Sequence, residues 1–226
     1  MQLIAMHGWA GDAQGWEPFH SAWSARGWAW QGGERGYGGQ APRPVAWRSG
    51  QGLKLVIAHS LGPHLLPAAV LAQADAVVLL ASFGRFVPEG PSGRRLRSAV
   101  AAMASQLAGP EASTMLQTFM ERAAAPQPAS LLPPGIANSP LAASGRQLLA
   151  EDLDLLAATA GLPPGFPLQA RVLIVEGGED QIVSPQARQQ LRNLLPAADT
   201  LVLAGVGHCL LSPALVPTVC GWIEGL

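Results

Sequence analysis

Six short apolar runs, separated by longer segments with helical patterns, constrain the fold of this chain more than any other feature. They are Leu3–Met6, Trp28–Gln31, Leu53–Ala58, Ala76–Ala81, Val172–Glu176 and Thr200–Leu203, of which Trp28–Gln31 is the weakest. The runs show little alternation of apolar and polar residues, which is typical of strands buried on both faces. Buried strands that alternate with helices predict a parallel sheet with helices on both faces.

The helical patterns fall into two groups along the chain. Four lie next to the strands: Trp16–Arg26, Gly62–Gln73, Pro185–Leu195 and Pro213–Gly225. Three others follow one another with no strand-like run between them: Leu96–Leu107, Ser113–Ala124 and Ala143–Ala160. We therefore predict a core formed by residues 1–84 and 169–226, with residues 85–168 inserted as a small helical cap or lid.

The composition narrows the class of protein. The chain has 226 residues, of which 49% are hydrophobic and 13% charged, as expected of one globular domain and not of a disordered chain. Its net charge of −1 gives no general attraction to nucleic acid or to an anionic membrane. No apolar stretch approaches the roughly 20 residues of a membrane span, and Cys209 and Cys220 form no zinc-binding spacing. The sequence predicts a cytoplasmic protein with no membrane span and no nucleic-acid partner.

The segment from Leu53 to Gly62 carries the strongest local signal. A buried strand leads into Ala-His-Ser-Leu-Gly, and a helix-compatible run follows, so Ser60 lies at a sharp strand-to-helix turn. This arrangement corresponds to the nucleophile elbow G-x-S-x-G, with Ala58 in place of the first glycine. Positions two before and two after the serine must be small, because the strand and the helix approach closely there. We predict that Ser60 is a nucleophile.

A serine nucleophile needs a base and an acid that orients the base. In elbow proteins these follow in the order Ser, Asp or Glu, His. Asp180 follows the strand-like run that ends at Glu176, and His208 follows the run that ends at Leu203. Catalytic groups of open parallel sheets collect at such carboxyl ends. Glu179 is the rival acid, but the Gly-x-x-Asp spacing favours Asp180.

An oxyanion hole completes the predicted site. Met6-His-Gly-Trp9 follows the first strand directly, so we assign the two donors to the backbone amides of Trp9 and Leu61. The loss of one such donor typically costs about 3–4 kcal/mol of transition-state stabilisation. This chemistry requires no metal and no organic cofactor.

These motifs, taken together, resemble the α/β-hydrolase superfamily along essentially the whole chain. Within it, the sequence looks most like the pimeloyl-acyl-carrier-protein methyl ester esterases of biotin synthesis. That likeness rests on Met6-His-Gly-Trp-Ala-Gly-Asp, on the Ser-Leu-Gly elbow and on Val78-Leu-Leu-Ala-Ser-Phe-Gly-Arg-Phe. The resemblance places the first strand of this chain at the family's third, which implies a sheet of about six strands without the usual first two.

The resemblance also implies the parts of the substrate site. Trp9, Ser82 and Phe83 are expected to line the acyl pocket. In such esterases a tethered acyl chain passes under a cap whose basic residues meet the acidic carrier protein. Arg94, Arg95 and Arg97 are the candidates for that contact here, since arginine suits phosphate geometry. The implied substrate is a carboxylic ester, either a small molecule or one tethered to an acyl-carrier protein.

Three alternatives stay open at this point. The same triad serves short-chain or lipid-type esterases, thioesterases, lactonases and carbon–carbon bond hydrolases, and only the cap and the pocket separate them. A cofactor-free haloperoxidase-like or lyase activity uses the same groups. A non-catalytic binding protein of the same fold would have no need for Ser60, Asp180 and His208 together.

Overall fold

The computed structural model of the protein describes residues 1–138 and 141–226. Its strands form one sheet: β1 (Gln2–Met6), β2 (Ala29–Gly32), β3 (Lys54–His59), β4 (Ala76–Leu80), β5 (Arg171–Gly177) and β6 (Asp199–Leu203). The order across the sheet is β2-β1-β3-β4-β5-β6, and every neighbouring pair is parallel. The predicted sheet of about six strands is confirmed.

This strand order creates a crevice at one edge of the sheet. The chain runs from β1 outward to β2 and then returns to β3 on the other side of β1. Ligand sites of open α/β sheets lie at such a switch point, outside the carboxyl ends of the strands. The loops that begin at His7 and Ser60 both leave the sheet at this point.

The helices are α1 (Glu17–Ala25), α2 (Gly62–Leu65), α3 (Ala68–Leu71), α4 (Arg94–Ala108), α5 (Ala112–Ala124), α6 (Ala143–Ala158), α7 (Pro185–Leu194) and α8 (Leu215–Glu224). The single helix predicted for Gly62–Gln73 is wrong, because two short helices occupy that range. Pro67 separates them: its ring removes an amide donor and disfavours the helical conformation of Leu66, whose ψ is 142°. Within residues 1–138 and 141–226, no helix combines the length and the apolarity needed to cross a membrane.

Three apolar clusters hold the molecule together. On one face of the sheet, α1 and α8 pack through residues such as Trp23 and Val219. On the other face, α3 and α7 pack through Val70 and Leu191. The third cluster lies over the carboxyl edge of the sheet. It joins α4, α5 and α6, the helices between β4 and β5, to side chains of the core such as Leu61. These three helices therefore cover the crevice.

Candidate active site

Ser60 occupies a strained turn directly after β3. Its φ of 54° lies in the left-handed region, which costs a residue with a side chain about 1–2 kcal/mol. Two hydrogen bonds hold the turn: the Ser60 amide donates to the carbonyl of Leu80 (2.8 Å), and the Ser82 hydroxyl donates to the carbonyl of Ser60 (2.7 Å). The neighbouring strand β4 thus fixes the elbow.

Close packing at the elbow explains two of its small residues. A Cβ atom at Gly62 would lie 2.4 Å from the carbonyl oxygen of Met6, and one at Gly8 would lie 2.8 Å from the Cβ atom of Ser60. Any side chain at either position would push the loop after β1 away from the elbow. Glycine at both positions therefore brings the loop that carries Trp9 against Ser60.

His208 joins Ser60 to Asp180. The Nε2 atom of His208 lies 3.0 Å from Ser60 Oγ, and its Nδ1 atom lies 3.0 Å from Asp180 Oδ2. A carboxylate only accepts hydrogen bonds, so Nδ1 carries the proton and Nε2 is free to accept from the serine hydroxyl. All three side chains are buried. This is the geometry required for a serine to pass its proton to a histidine.

Asp180 is held by its own loop so that one carboxylate oxygen faces His208. Its Oδ1 atom accepts the amides of Ile182 (2.7 Å) and Val183 (3.0 Å), which leaves Oδ2 facing His208. Burial alone would raise the pKa of Asp180, but the hydrogen bonds from His208 and these amides outweigh it and hold the pKa below its usual value. Ser184, and not Asp180, caps α7. The rival acid Glu179 is exposed.

The amides of Trp9 and Leu61 lie on the two loops that meet at Ser60. In the part of the chain that the structure describes, neither amide donates to a protein acceptor. Leu61 is the residue before α2, and Trp9 follows the glycine that touches Ser60. Two free amides therefore lie on the loops beside the nucleophile, and their assignment as the oxyanion hole stays a prediction.

His59 supports His208 from the backbone side. Its Nε2 atom donates to the carbonyl oxygen of His208 (3.0 Å), and the two rings lie 4.9 Å apart. Burial, with a contribution from the neighbouring His208, lowers the pKa of His59 to about 4. His59 is therefore a neutral donor that ties the loop after β6 to the elbow. Burial and the nearby charge of Asp180 raise the pKa of the neighbouring Cys209 thiol to about 12, which disfavours its thiolate.

An apolar cavity of about 340 Å³ opens above Ser60. Its walls come from the three covering helices, with Leu96, Val100 and Met103 of α4, Met115, Thr118 and Phe119 of α5, and Leu153 and Leu156 of α6. Ser60 and Trp9 form part of its floor, as the sequence predicted for Trp9. Gln106, Glu111, Arg122 and Gln181 add polar groups to a lining that is otherwise mostly apolar, so the space fits a chain that is apolar along most of its length.

The other predicted substrate residues lie elsewhere. Ser82 and Phe83 are buried and do not line the cavity above Ser60. Ser82 supports the elbow, and Phe83 packs between His64 and Phe86. Arg97 donates to the carbonyls of Pro88 and Gly90, so it holds the turn before α4. Arg94 and Arg95 are exposed at the start of α4 and have no partner in residues 1–138 and 141–226.

A buried polar network under the cap was not anticipated from the sequence. The guanidinium of Arg35 donates two hydrogen bonds to Asp152 of α6 (2.8 and 2.7 Å), and the Tyr37 hydroxyl donates to the same carboxylate. The Arg35 amide donates to His7 Nε2 (3.2 Å). The Trp9 indole donates to the carbonyl of Leu149 in α6 (2.8 Å). Helix α6 is thus bonded directly to Trp9, and it is linked to His7 of the same loop through Arg35.

The signal that could have revealed this network is a single acid on an apolar stripe. Leu149, Leu153 and Leu156 follow a helical spacing, and Asp152 falls on the same face. A buried carboxylate needs a partner. The sequence therefore contained a reason to look for a cation facing this helix.

Solved structures with the same architecture are similar to this chain at low sequence identity. An esterase from Exiguobacterium antarcticum is 13% identical, with a TM-score of 0.73 over 99% of this chain and 92% of its own. A bromoperoxidase from Bacillus anthracis is 14% identical, with a TM-score of 0.73 over 99% and 92%. An enol-lactonase from Burkholderia xenovorans is 13% identical, with a TM-score of 0.70 over 99% and 91%. No protein-family model matches the sequence, and neither does any curated protein.

These similarities extend over the whole chain, and the protein therefore has the α/β-hydrolase fold. The fold predicted from the motifs is confirmed. Proteins named for three different activities share it, so the fold does not choose among them. The choice depends on the site.

Proposed function

We propose that the protein is a serine hydrolase that cleaves carboxylic esters with Ser60 as nucleophile, His208 as base and Asp180 as the orienting acid. The observation that carries the proposal is the hydrogen-bonded chain from Asp180 through His208 to Ser60 beneath an apolar cavity. A binding protein would gain nothing from a strained serine and a buried carboxylate aligned on one histidine.

The proposed reaction has two steps. Ser60 Oγ attacks the ester carbonyl carbon while its proton moves to His208 Nε2, and the carbonyl oxygen takes up negative charge between the amides of Trp9 and Leu61. The carbon–oxygen bond to the alcohol then breaks, and His208 donates the proton to the departing oxygen. Water attacks the acyl group with His208 again as base, and the acid and free Ser60 result. Asp180 stays ionised and stabilises the imidazolium, in keeping with its lowered pKa.

The finer proposal concerns the substrate. The likeness to pimeloyl-carrier methyl ester esterases suggests a tethered acyl chain, and two features support that substrate. The cavity above Ser60 is apolar and bounded by α4, and Arg94 and Arg95 are exposed at the start of the same helix. Their charges suit a phosphopantetheine phosphate or the acidic surface of a carrier protein.

One panel of substrates tests both the proposed ester hydrolysis and the proposed carrier-linked substrate. The protein is assayed on p-nitrophenyl butyrate and on carrier-linked pimeloyl methyl ester, with Ser60→Ala, Asp180→Asn and, as a matched surface control, Ser24→Ala. We expect Ser60→Ala to lower kcat/KM at least about a thousandfold and Asp180→Asn roughly a hundred- to ten-thousandfold. Ser24→Ala should equal the unmodified protein. Full activity in Ser60→Ala would contradict the proposed nucleophile.

The same panel tests the role of the arginines. The double variant Arg94→Glu/Arg95→Glu should lower the ratio of kcat/KM for the carrier-linked ester to that for the small ester by at least about tenfold, because charge contacts at the rim act on docking. An unchanged ratio would contradict carrier docking and leave the hydrolase proposal standing.

A further inference from the structure

A second apolar cavity, of about 670 Å³, lies on the other side of the site. It is bounded by the loop after β1, the start of α1, residues 131–135, and the loop from His208 to Val216. Met120 and Ala123 of α5 close it from above. Of the residues that line this cavity, the sequence predicted Trp9 as part of the acyl pocket and His208 as the catalytic base.

The two cavities meet at a wall of two aromatic side chains. Among the residues that the structure describes, only Trp9 and Phe119 line both of them. The rings stand perpendicular, at 89°, with their centroids 4.8 Å apart. The hydrogen bond from Trp9 Nε1 to Leu149 fixes one half of the wall, and Phe119, which is partly buried, forms the other.

The cavities divide the proposed triad between them. The cavity of about 340 Å³ is lined by Ser60 and not by His208, whereas the second cavity is lined by His208 and not by Ser60. In ester cleavage the acyl carbon bonds to the serine, and the alcohol oxygen takes its proton from the histidine. The acyl chain therefore belongs on the Ser60 side of the Trp9–Phe119 wall and the alcohol on the His208 side.

We infer that the second cavity is a subsite for the alcohol portion of the ester, and that the protein prefers esters of apolar alcohols larger than methanol. The inference therefore keeps the acyl part of the proposed substrate and replaces its methyl group. This inference rests on the proposed function and deepens it. The lining of the second cavity, with Phe19, Leu132, Leu211 and Val216, suits an alkyl or aryl group. Each methylene buried there should raise kcat/KM by up to about fourfold.

Two selectivity ratios measure the two cavities separately. The alcohol ratio compares hexyl butyrate with methyl butyrate, and the acyl ratio compares methyl octanoate with methyl butyrate, each as kcat/KM. In the unmodified protein we expect an alcohol ratio of at least about ten, which two buried methylenes would provide. A ratio of one or below would overturn the inference.

The same substitution in each cavity supplies matched variants. Met120 lines only the second cavity and Met103 lines only the first. We expect Met120→Trp to lower the alcohol ratio at least tenfold with little change in the acyl ratio, and Met103→Trp to do the reverse. Leu155→Trp, at an exposed site on α6 that lines neither cavity, should leave both ratios unchanged.

The outcomes separate this inference from the proposed function. If Met120→Trp lowers the acyl ratio, or changes neither ratio, the alcohol assignment is wrong although ester hydrolysis persists. If no ester is cleaved and Ser60 of the folded protein does not react with a fluorophosphonate, the proposed function itself fails. Should Met120→Trp not fold, the alcohol ratio of the unmodified protein still decides the matter.

Discussion

His59 and Ser60 are adjacent in the chain and have different roles at the end of β3. Ser60 takes a strained φ that turns its hydroxyl toward His208, and His59 donates to the backbone of His208 from beneath. Two consecutive residues thus place both reacting partners. The strain at Ser60 is tolerated because β4 and Ser82 hold its amide and its carbonyl.

The lowered pKa of His59 predicts a loss of stability in mild acid. Between its ordinary value of 6.5 and the folded value of about 4, the unfolded chain binds a proton that the folded protein does not. The stabilisation is therefore complete above pH 6.5 and is lost as the pH falls toward 4. We expect this group to cost about 2 kcal/mol of the free energy of unfolding between pH 7 and pH 5.

The measurement is urea unfolding at both pH values for the unmodified protein and for His59→Gln. Glutamine keeps a donor for the His208 carbonyl but does not titrate, so the variant should lose less stability on acidification by about that amount. Identical pH dependence in the two proteins would show that His59 is not the group responsible.

At the residue scale, the sequence predicted those groups whose place follows from chain order. Ser60, Asp180 and His208 each come directly after a strand, and parallel strands bring such positions to one edge. Ser82 also follows a strand, but its side chain points back to the Ser60 carbonyl. The direction of a side chain within a loop depends on neighbours far along the chain. The spacing of residues in the sequence does not reveal that direction.

Helix α6 is the element that connects the helices between β4 and β5 to the loop that carries Trp9. Asp152 pairs with Arg35 and Tyr37, and Leu149 accepts the Trp9 indole, so both contacts come from one face of the helix. The position of the Trp9 amide therefore depends on where α6 sits.

We expect Asp152→Asn to destabilise the protein by about 2 kcal/mol, because it leaves the partly buried Arg35 without its carboxylate. It should also lower kcat for ester hydrolysis more than it raises KM, since the oxyanion donor acts mainly in the transition state. Asp154→Asn, two residues along on the exposed face, is the matched control and should leave both quantities unchanged. A change confined to stability, with kcat intact, would contradict the link to the loop that carries Trp9.

Strands and helices were predicted well where one apolar pattern extended along the whole element. The bounds of all six strands and of the long helices agree with the apolar pattern to within a few residues. The expectation that every strand is buried on both faces is wrong for β6, because this edge strand has no buried residue and Val202 is 54% exposed. The exception is the region after the elbow, where Pro67 ends one helix and begins another. A proline within an apolar stripe interrupts the helix that the stripe would otherwise predict.

The two cavities depend on how the elements pack together, and no single element forms them. The strand order places β1 beside β3 and so brings the Trp9 loop to the elbow. The two cavities form only where the helices between β4 and β5 cover that edge of the sheet. Phe119 and Met120 are neighbours in α5, yet Met120 lines only the second cavity whereas Phe119 lines both. This arrangement depends on how α5 is rotated above the sheet, which helical periodicity alone does not determine.

The central claim is that Ser60 becomes acylated with His208 as its base. The most direct measurement is acid quenching of the protein within the first turnovers of p-nitrophenyl butyrate, followed by mass spectrometry of its peptides. We expect one butyryl group on the peptide that contains Ser60, and none when Ser60→Ala is treated in the same way. Turnover of the ester with no adduct on that peptide, or an adduct that persists in Ser60→Ala, would contradict it.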